Sequence, residues 1–199
     1  MMMKRIVPYL LLVFCISVTY AGYDRVIGPG EYELLPIEWQ SGLLLVNGGG
    51  ADEIGVLNSA QIEVQSSSIP INGNWYTGGI QYLDLYSTSH LDYFDGVTRQ
   101  LTLRGNATAY FEGGRIDYIR SYQLSNQSKH ITMVCDVESV DHTGNLLTGN
   151  WLDGSSFSIT LQNVSGYDTV YSNIHFIPEP ATLLLFGLGG LLLRRRQFR

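Results

Sequence analysis

Carboxylate pairs are the first residues in this chain whose type and spacing could do chemistry. Glu31 and Glu33 stand two apart, and Asp92 and Asp95 three apart; two carboxyl groups facing one another are the machinery of glycoside hydrolysis. On a strand, residues two apart share a face while residues three apart point to opposite faces. Asp92 and Asp95 therefore converge only if a turn lies between them. Neither pair is accompanied by a cluster of Asp with Arg or Lys, and Lys129 is the single lysine between residues 22 and 177. His90, His130, His142 and His175 are isolated from one another, without metal-ligand spacing, and each reads as a turn or surface residue. Cys135 lies on the same alternating face as Ile131, Met133 and Val137, where it serves as a small buried hydrophobe rather than a nucleophile. The sequence contains no nucleophile elbow, phosphate loop or Cys/His zinc arrangement. The expectation is a protein with no catalytic residues and no cofactor, hence not an enzyme.

Asn47-Gly48-Gly49-Gly50-Ala51-Asp52-Glu53-Ile54 differs by one residue from the calcium-binding nonapeptide repeat, with Asn47 in place of the first glycine. In that repeat, glycine carbonyls and the aspartate hold Ca²⁺ between successive coils with hard oxygen ligands. Tandem copies build such a site and this chain has one, so the stretch reads as a Gly-rich turn bordering a buried strand. No metal site is expected, and Asp52 is the one candidate ligand to examine. Asn74-Trp75-Tyr76-Thr77-Gly78 and Asn150-Trp151-Leu152-Asp153-Gly154 share an Asn-Trp-x-x-Gly outline. Their aromatic rings suit core packing or ring stacking; stacking on sugar is the alternative.

The elements that must carry these residues are short strands. Leu43-Leu44-Leu45-Val46, Ile62-Glu63-Val64, Leu83-Asp84-Leu85, Leu101-Thr102-Leu103 and Phe157-Ser158-Ile159-Thr160-Leu161 are apolar or alternating, and Gly, Ser, Asn and Asp clusters break them apart. That is an all-β texture. Leu83-Asp84-Leu85 recurs as Leu101-Thr102-Leu103 eighteen positions on, and Tyr93-Phe94-Asp95-Gly96 as Tyr110-Phe111-Glu112-Gly113 seventeen on, while Ile62-Glu63-Val64 precedes the first of these by twenty-one. A period of about 20 residues is that of a solenoid coil. The expected fold is a short right-handed β-solenoid over residues 22–122, its regular coils running from Arg25 to Tyr122. Residues 123–177 form a C-terminal antiparallel β cap, with strands at Ile131–Val140 and Phe157–Leu161 and a hairpin turn at Asp141-His142-Thr143-Gly144-Asn145. An open solenoid end exposes its core and strand edges, so a cap is required.

Both termini carry addresses. Lys4 and Arg5, the apolar run Ile6 to Val18 and the small-residue site Thr19-Tyr20-Ala21 make a secretory signal peptide, residues 1–21, cleaved after Ala21. Phe14 before Cys15 argues against a lipoprotein signal. Between the signals, six bases (Arg25, Arg99, Arg104, Arg115, Arg120 and Lys129) face seventeen acids, a net charge of −11. Such a body repels phosphates and is not expected to bind nucleic acid.

At the other end, Pro178-Glu179-Pro180 is followed by an uncharged apolar stretch, 181–193, and by Arg194-Arg195-Arg196. Thirteen helical residues reach roughly 20 Å against a hydrocarbon core of roughly 30 Å, which suits a temporary anchor. The arginines mark its cytoplasmic side. The order Pro-Glu-Pro, short hydrophobic transmembrane helix, Arg cluster over residues 178–199 resembles the PEP-CTERM protein-sorting signal. The resemblance implies an exosortase-type membrane transpeptidase as partner and Pro178, Glu179, Pro180, Arg194, Arg195 and Arg196 as the sorting residues. It implies transient insertion in the inner membrane, cleavage near Pro178-Glu179-Pro180, and delivery to the cell surface or extracellular matrix in association with exopolysaccharide. The expected function is that of an exported non-catalytic surface or matrix protein. A β-helix polysaccharide lyase or hydrolase, and a glycan- or calcium-binding module, are the alternatives.

Overall fold

The structure is a computed structural model that describes residues 22–70, 73–74, 78–124 and 130–178. Every element of length is a strand. The strands are β1 (Arg25–Ile27), β2 (Tyr32–Glu33), β3 (Ile37–Trp39), β4 (Leu43–Asn47), β5 (Gly50–Val56), β6 (Gln61–Ser66), β7 (Ile80–Leu85) and β8 (His90–Tyr93). They continue as β9 (Val97–Arg104), β10 (Thr108–Phe111), β11 (Arg115–Tyr122), β12 (Ile131–Thr143), β13 (Leu146–Trp151), β14 (Ser156–Gln162) and β15 (Ile174–Ile177). One 3₁₀ turn, Tyr171–Asn173, precedes β15, and no α-helix occurs among the described residues. The all-β expectation holds.

The strands lie along one path, β1–β4–β6–β8–β10–β12–β13–β14–β11–β9–β7–β5–β2, which folds over into a nearly closed, barrel-like sheet. Its two sides differ from an ordinary barrel because each is a parallel ladder. On the first side β1, β4, β6, β8, β10, β12 and β15 pair in parallel. On the second, β2 and β3 both pair with β5, followed by β7, β9, β11 and β14. Antiparallel pairs are confined to β12–β13 and β13–β14 among the described residues.

The register stacks like on like. Leu44, Ile62, Leu91, Ala109, Ile131 and Ile174 form one column of the first ladder. Ile37, Ile54, Leu83, Leu101, Ile119 and Leu161 form its counterpart in the second. All twelve are buried and meet in a single core between the two sides. Parallel strands buried on one face gain most of their stability from such columns, since each fully buried aliphatic side chain contributes about 1.5–3 kcal/mol. The corners repeat too. Asn58, Ser87 and Gly105, which follow the second-ladder strands β5, β7 and β9, take φ of 57°, 59° and 66°, the left-handed conformation that reverses a chain tightly.

The register also revises the repeats read from sequence. Leu83 and Leu85 do stack on Leu101 and Leu103. Tyr93, however, pairs with Phe111 rather than with Tyr110, so this repeat also has a period of eighteen. Ile62-Glu63-Val64 belongs to the first ladder and stacks on Leu91-Asp92-Tyr93, not on Leu83-Asp84-Leu85. The two ladders share an apolar–polar–apolar texture, which makes their strands interchangeable by eye. In the region 131–162 the turn is shorter than expected: β12 runs through His142 to Thr143, and only Gly144 and Asn145 separate it from β13. The strand β13 (Leu146–Trp151) lies between the two strands expected in this region and pairs antiparallel with both β12 and β14. Here Gly149 lies against the Phe157 ring, where a Cβ would come within 2.6 Å of it.

Candidate functional site

The body hands over to its C-terminal segment at β15. Ile174 to Ile177 pair in parallel with Ile131 to Val134 of β12, with Ile174 buried. Phe176 packs 6.1 Å from Tyr171, whose ring stacks on His142 at 3.9 Å and 6° between planes. Pro178 follows at once, exposed; without an N–H it cannot extend the ladder. Clefts open on both sides of this exit. One, of about 440 Å³, is lined by Cys135, Asp136, Glu138, Trp151 and Pro178. The other, of about 330 Å³, is lined by Tyr110, Glu112, Asp153 and Ile177.

The electrostatics of this exit are acidic. Glu112 accepts a 2.6 Å hydrogen bond from the Tyr110 hydroxyl and holds the phenol neutral, pushing its pKa up to about 12. Ser155 donates to Asp153 through its hydroxyl and its N–H, lowering the carboxyl pKa. Burial, assisted by Asp136, raises the Cys135 thiol, which is therefore protonated and inert. Cys135 is buried with Ile131 and Met133 as expected, but Val137 is exposed, because the pairing of β12 with β13 shifts register between Asp136 and Asp141.

The other residues singled out by type are held in separate places. Glu33 pairs with Arg25, while Glu31 accepts from the Gly28 N–H at 2.7 Å. Asp92 faces His90 at 3.1 Å, and Asp95 caps the Gly96 N–H at 2.7 Å. Asp52 accepts from the Gln81 amide of the neighbouring strand. The glycines beside it serve close approach: a Cβ on Gly50 would lie 2.5 Å from the Gly79 carbonyl oxygen. No group of three or more potential metal ligands occurs among the described residues. His130 is not the surface residue its sequence suggested. It is buried, neither ring nitrogen makes a hydrogen bond of good geometry to a described residue, and burial lowers its pKa, opposed in part by the Ala107 backbone. Trp151 is likewise a core residue, its indole N–H donating to the Gly114 carbonyl at 2.9 Å and its ring 4.7 Å from Phe157. Trp75 lies outside the described residues, as do Ala21, Glu179, Pro180, the apolar stretch 181–193 and Arg194, Arg195 and Arg196. Among the described residues no helix is long and apolar enough to cross a membrane.

Reading for motifs missed one surface altogether, the outer face of the second ladder. Tyr82, Gln100 and Tyr118 form one column there, and Asp84, Thr102, Arg120 and Gln162 the next. Beyond them, Arg104 lies over the rings of Tyr86 and Tyr122, 5.5 and 4.2 Å from their centroids. Aligning the chain on its eighteen-residue period would have placed Tyr82, Gln100 and Tyr118 in one column, since those positions flank the Leu83–Leu101 match.

Comparison with known proteins bears on the exit from β15. Residues 176–197 match the PEP-CTERM protein-sorting motif. The chain carries a PEP-CTERM sorting motif. The match includes the Pro-Glu-Pro sequence, the apolar stretch and the three arginines, and begins at Phe176, inside β15. A PEP-CTERM motif implies an exported protein, transiently anchored in the membrane, with an exosortase as its processing partner. No curated protein and no solved structure matches the chain.

Proposed function

We propose that the chain is a non-catalytic protein of the cell surface or extracellular matrix, delivered through its PEP-CTERM motif and associated with exopolysaccharide. The observation that carries this reading is the motif's position: it begins within β15, so the folded body leads straight into the sorting segment. The body is a short right-handed β-solenoid with an antiparallel cap made by β12, β13 and β14. In-register columns and the eighteen-residue spacing support a solenoid, and right-handed crossovers are the rule between parallel strands. The candidate acids favour a structural role, since Glu33, Asp52, Asp92 and Asp95 each bind a neighbour in a different place.

The test is to replace Pro178-Glu179-Pro180 with three alanines in a cell that has an exosortase. The expected outcome is accumulation of the altered chain in the membrane fraction at the expense of the surface fraction. An unchanged distribution would overturn delivery through this motif.

A further inference from the structure

We propose that the outer face of the second ladder binds an extended acidic polysaccharide, its sugar rings on Tyr82 and Tyr118 and its carboxylates on Arg104 and Arg120. The proposal rests on the polysaccharide association read above and names both the face and the class of glycan.

Charge is the first ground. The body is strongly acidic, yet three of its six bases lie on β9 and β11: Arg104 and Arg120 are diagonal neighbours on the two paired strands, and Arg99 stands five residues back along β9. None has a carboxylate partner: the ion pairs among the described residues belong to Arg25, His90 and Arg115. Arg99 donates instead to the Gln81 amide oxygen at 3.5 Å, and Arg120 to that of Gln162 at 2.6 and 3.1 Å. Of the acids near this face, Asp52 accepts from Gln81, Asp84 on the neighbouring strand β7 accepts from the Tyr86 hydroxyl at 3.5 Å, and Asp117 is engaged by Arg115; none forms an ion pair with Arg104 or Arg120 among the described residues. In a chain with many acids to spare, Arg104 and Arg120, adjacent and neither of them ion-paired with a carboxylate, form a local site for an anion.

Geometry is the second. Arg104 is gripped between Tyr86 and Tyr122, and Tyr122 is itself braced by Tyr167 at 5.3 Å, edge to face. Two flanking rings fix the guanidinium plane before any ligand arrives, which removes ordering cost from binding. Its Nε is buried without a hydrogen-bond partner, and its terminal nitrogens make no hydrogen bond to a described residue. A guanidinium so held offers the flat two-pronged donor that a carboxylate accepts. Tyr82 and Tyr118 are two strands apart in one column, about 10 Å, close to the disaccharide repeat of an extended glycan. Tyrosine is suited to sugar, with an apolar ring for the C–H face and a hydroxyl for its edge. Arg120 stands two residues along the strand from Tyr118, about 7 Å, within reach of a carboxylate on a ring stacked there.

The test uses the full chain in affinity electrophoresis with polygalacturonate, dextran sulfate and neutral dextran in parallel gels. The expected result is retardation by polygalacturonate and not by dextran, weakened about tenfold or more by Arg104→Gln and by Tyr118→Ala, and unchanged by Tyr110→Ala on the opposite ladder. Thermal melting of each variant separates loss of the site from loss of the fold; Tyr118→Ala serves if Arg104→Gln melts early. Equal retardation by dextran, retardation by dextran sulfate alone, or variants that bind as the parent does would each overturn the proposal. Co-fractionation with the producing cell's exopolysaccharide distinguishes the two readings. A chain that co-fractionates but ignores polygalacturonate overturns this face and leaves the association standing. A chain absent from that fraction overturns the association itself, even if the face binds polygalacturonate in the gel.

Discussion

His130 shows what burial does to a titratable group. Its backbone is tied on both sides, the carbonyl accepting from Ala109 and the N–H donating to Asn173, so the residue is fixed between β10 and the turn before β15. Burial lowers its pKa below the ordinary 6.5, which means that the unfolded chain binds the proton more readily. The stability it contributes is fully present above pH 6.5, falls as the pH drops below that value, and levels off only beneath the folded-state pKa. Melting temperatures measured from pH 7.5 to pH 4.5 should therefore fall more steeply for the parent than for His130→Leu over the acidic part of the range. Parallel curves would mean that His130 does not titrate in this way. The sequence disclosed none of this, because an isolated histidine beside Lys129 looks like a surface residue. Trp151 packs in the core against Phe157, the role its sequence favoured, although the particular partner is decided by strand pairing that no local motif encodes.

At the scale of elements, the in-register column is the unit that holds the fold. Leu101 lies in the middle of the second ladder, fully buried between Leu83 and Ile119. Leu101→Ala should lower unfolding free energy by about 2–5 kcal/mol. Gln100→Ala, one residue away on the outer face, should change it by no more than about 0.5 kcal/mol. Denaturant titration checks both, and similar losses at the two positions would contradict the inward–outward assignment. The short coils were legible where the chain repeats without insertion, as from Leu83 to Leu101. They were not legible where a coil lengthens: Ile62 is eighteen residues from Leu44 but twenty-nine from Leu91. A constant period cannot follow that change. Deciding which ladder a three-residue strand joins needs the register, and the register is a property of both strands.

For the whole molecule, the arrangement is a body that ends where its sorting segment begins. The described chain reaches Pro178 directly from β15, so no spacer intervenes between the last paired strand and the motif. This part of the site was the most legible in the sequence, because prolines, an uncharged apolar run and clustered arginines act through composition and order rather than through tertiary contacts. The outer face with Arg104 was the least legible, since its residues come from three strands and converge only when the ladder forms. The most direct measurement of delivery is the intact mass of the protein recovered from the surface of a cell that has an exosortase. Cleavage near Pro178-Glu179-Pro180 should leave a chain that lacks the residues beyond that site, Arg194, Arg195 and Arg196 among them. A surface protein whose mass still includes every residue to Arg199 would contradict it.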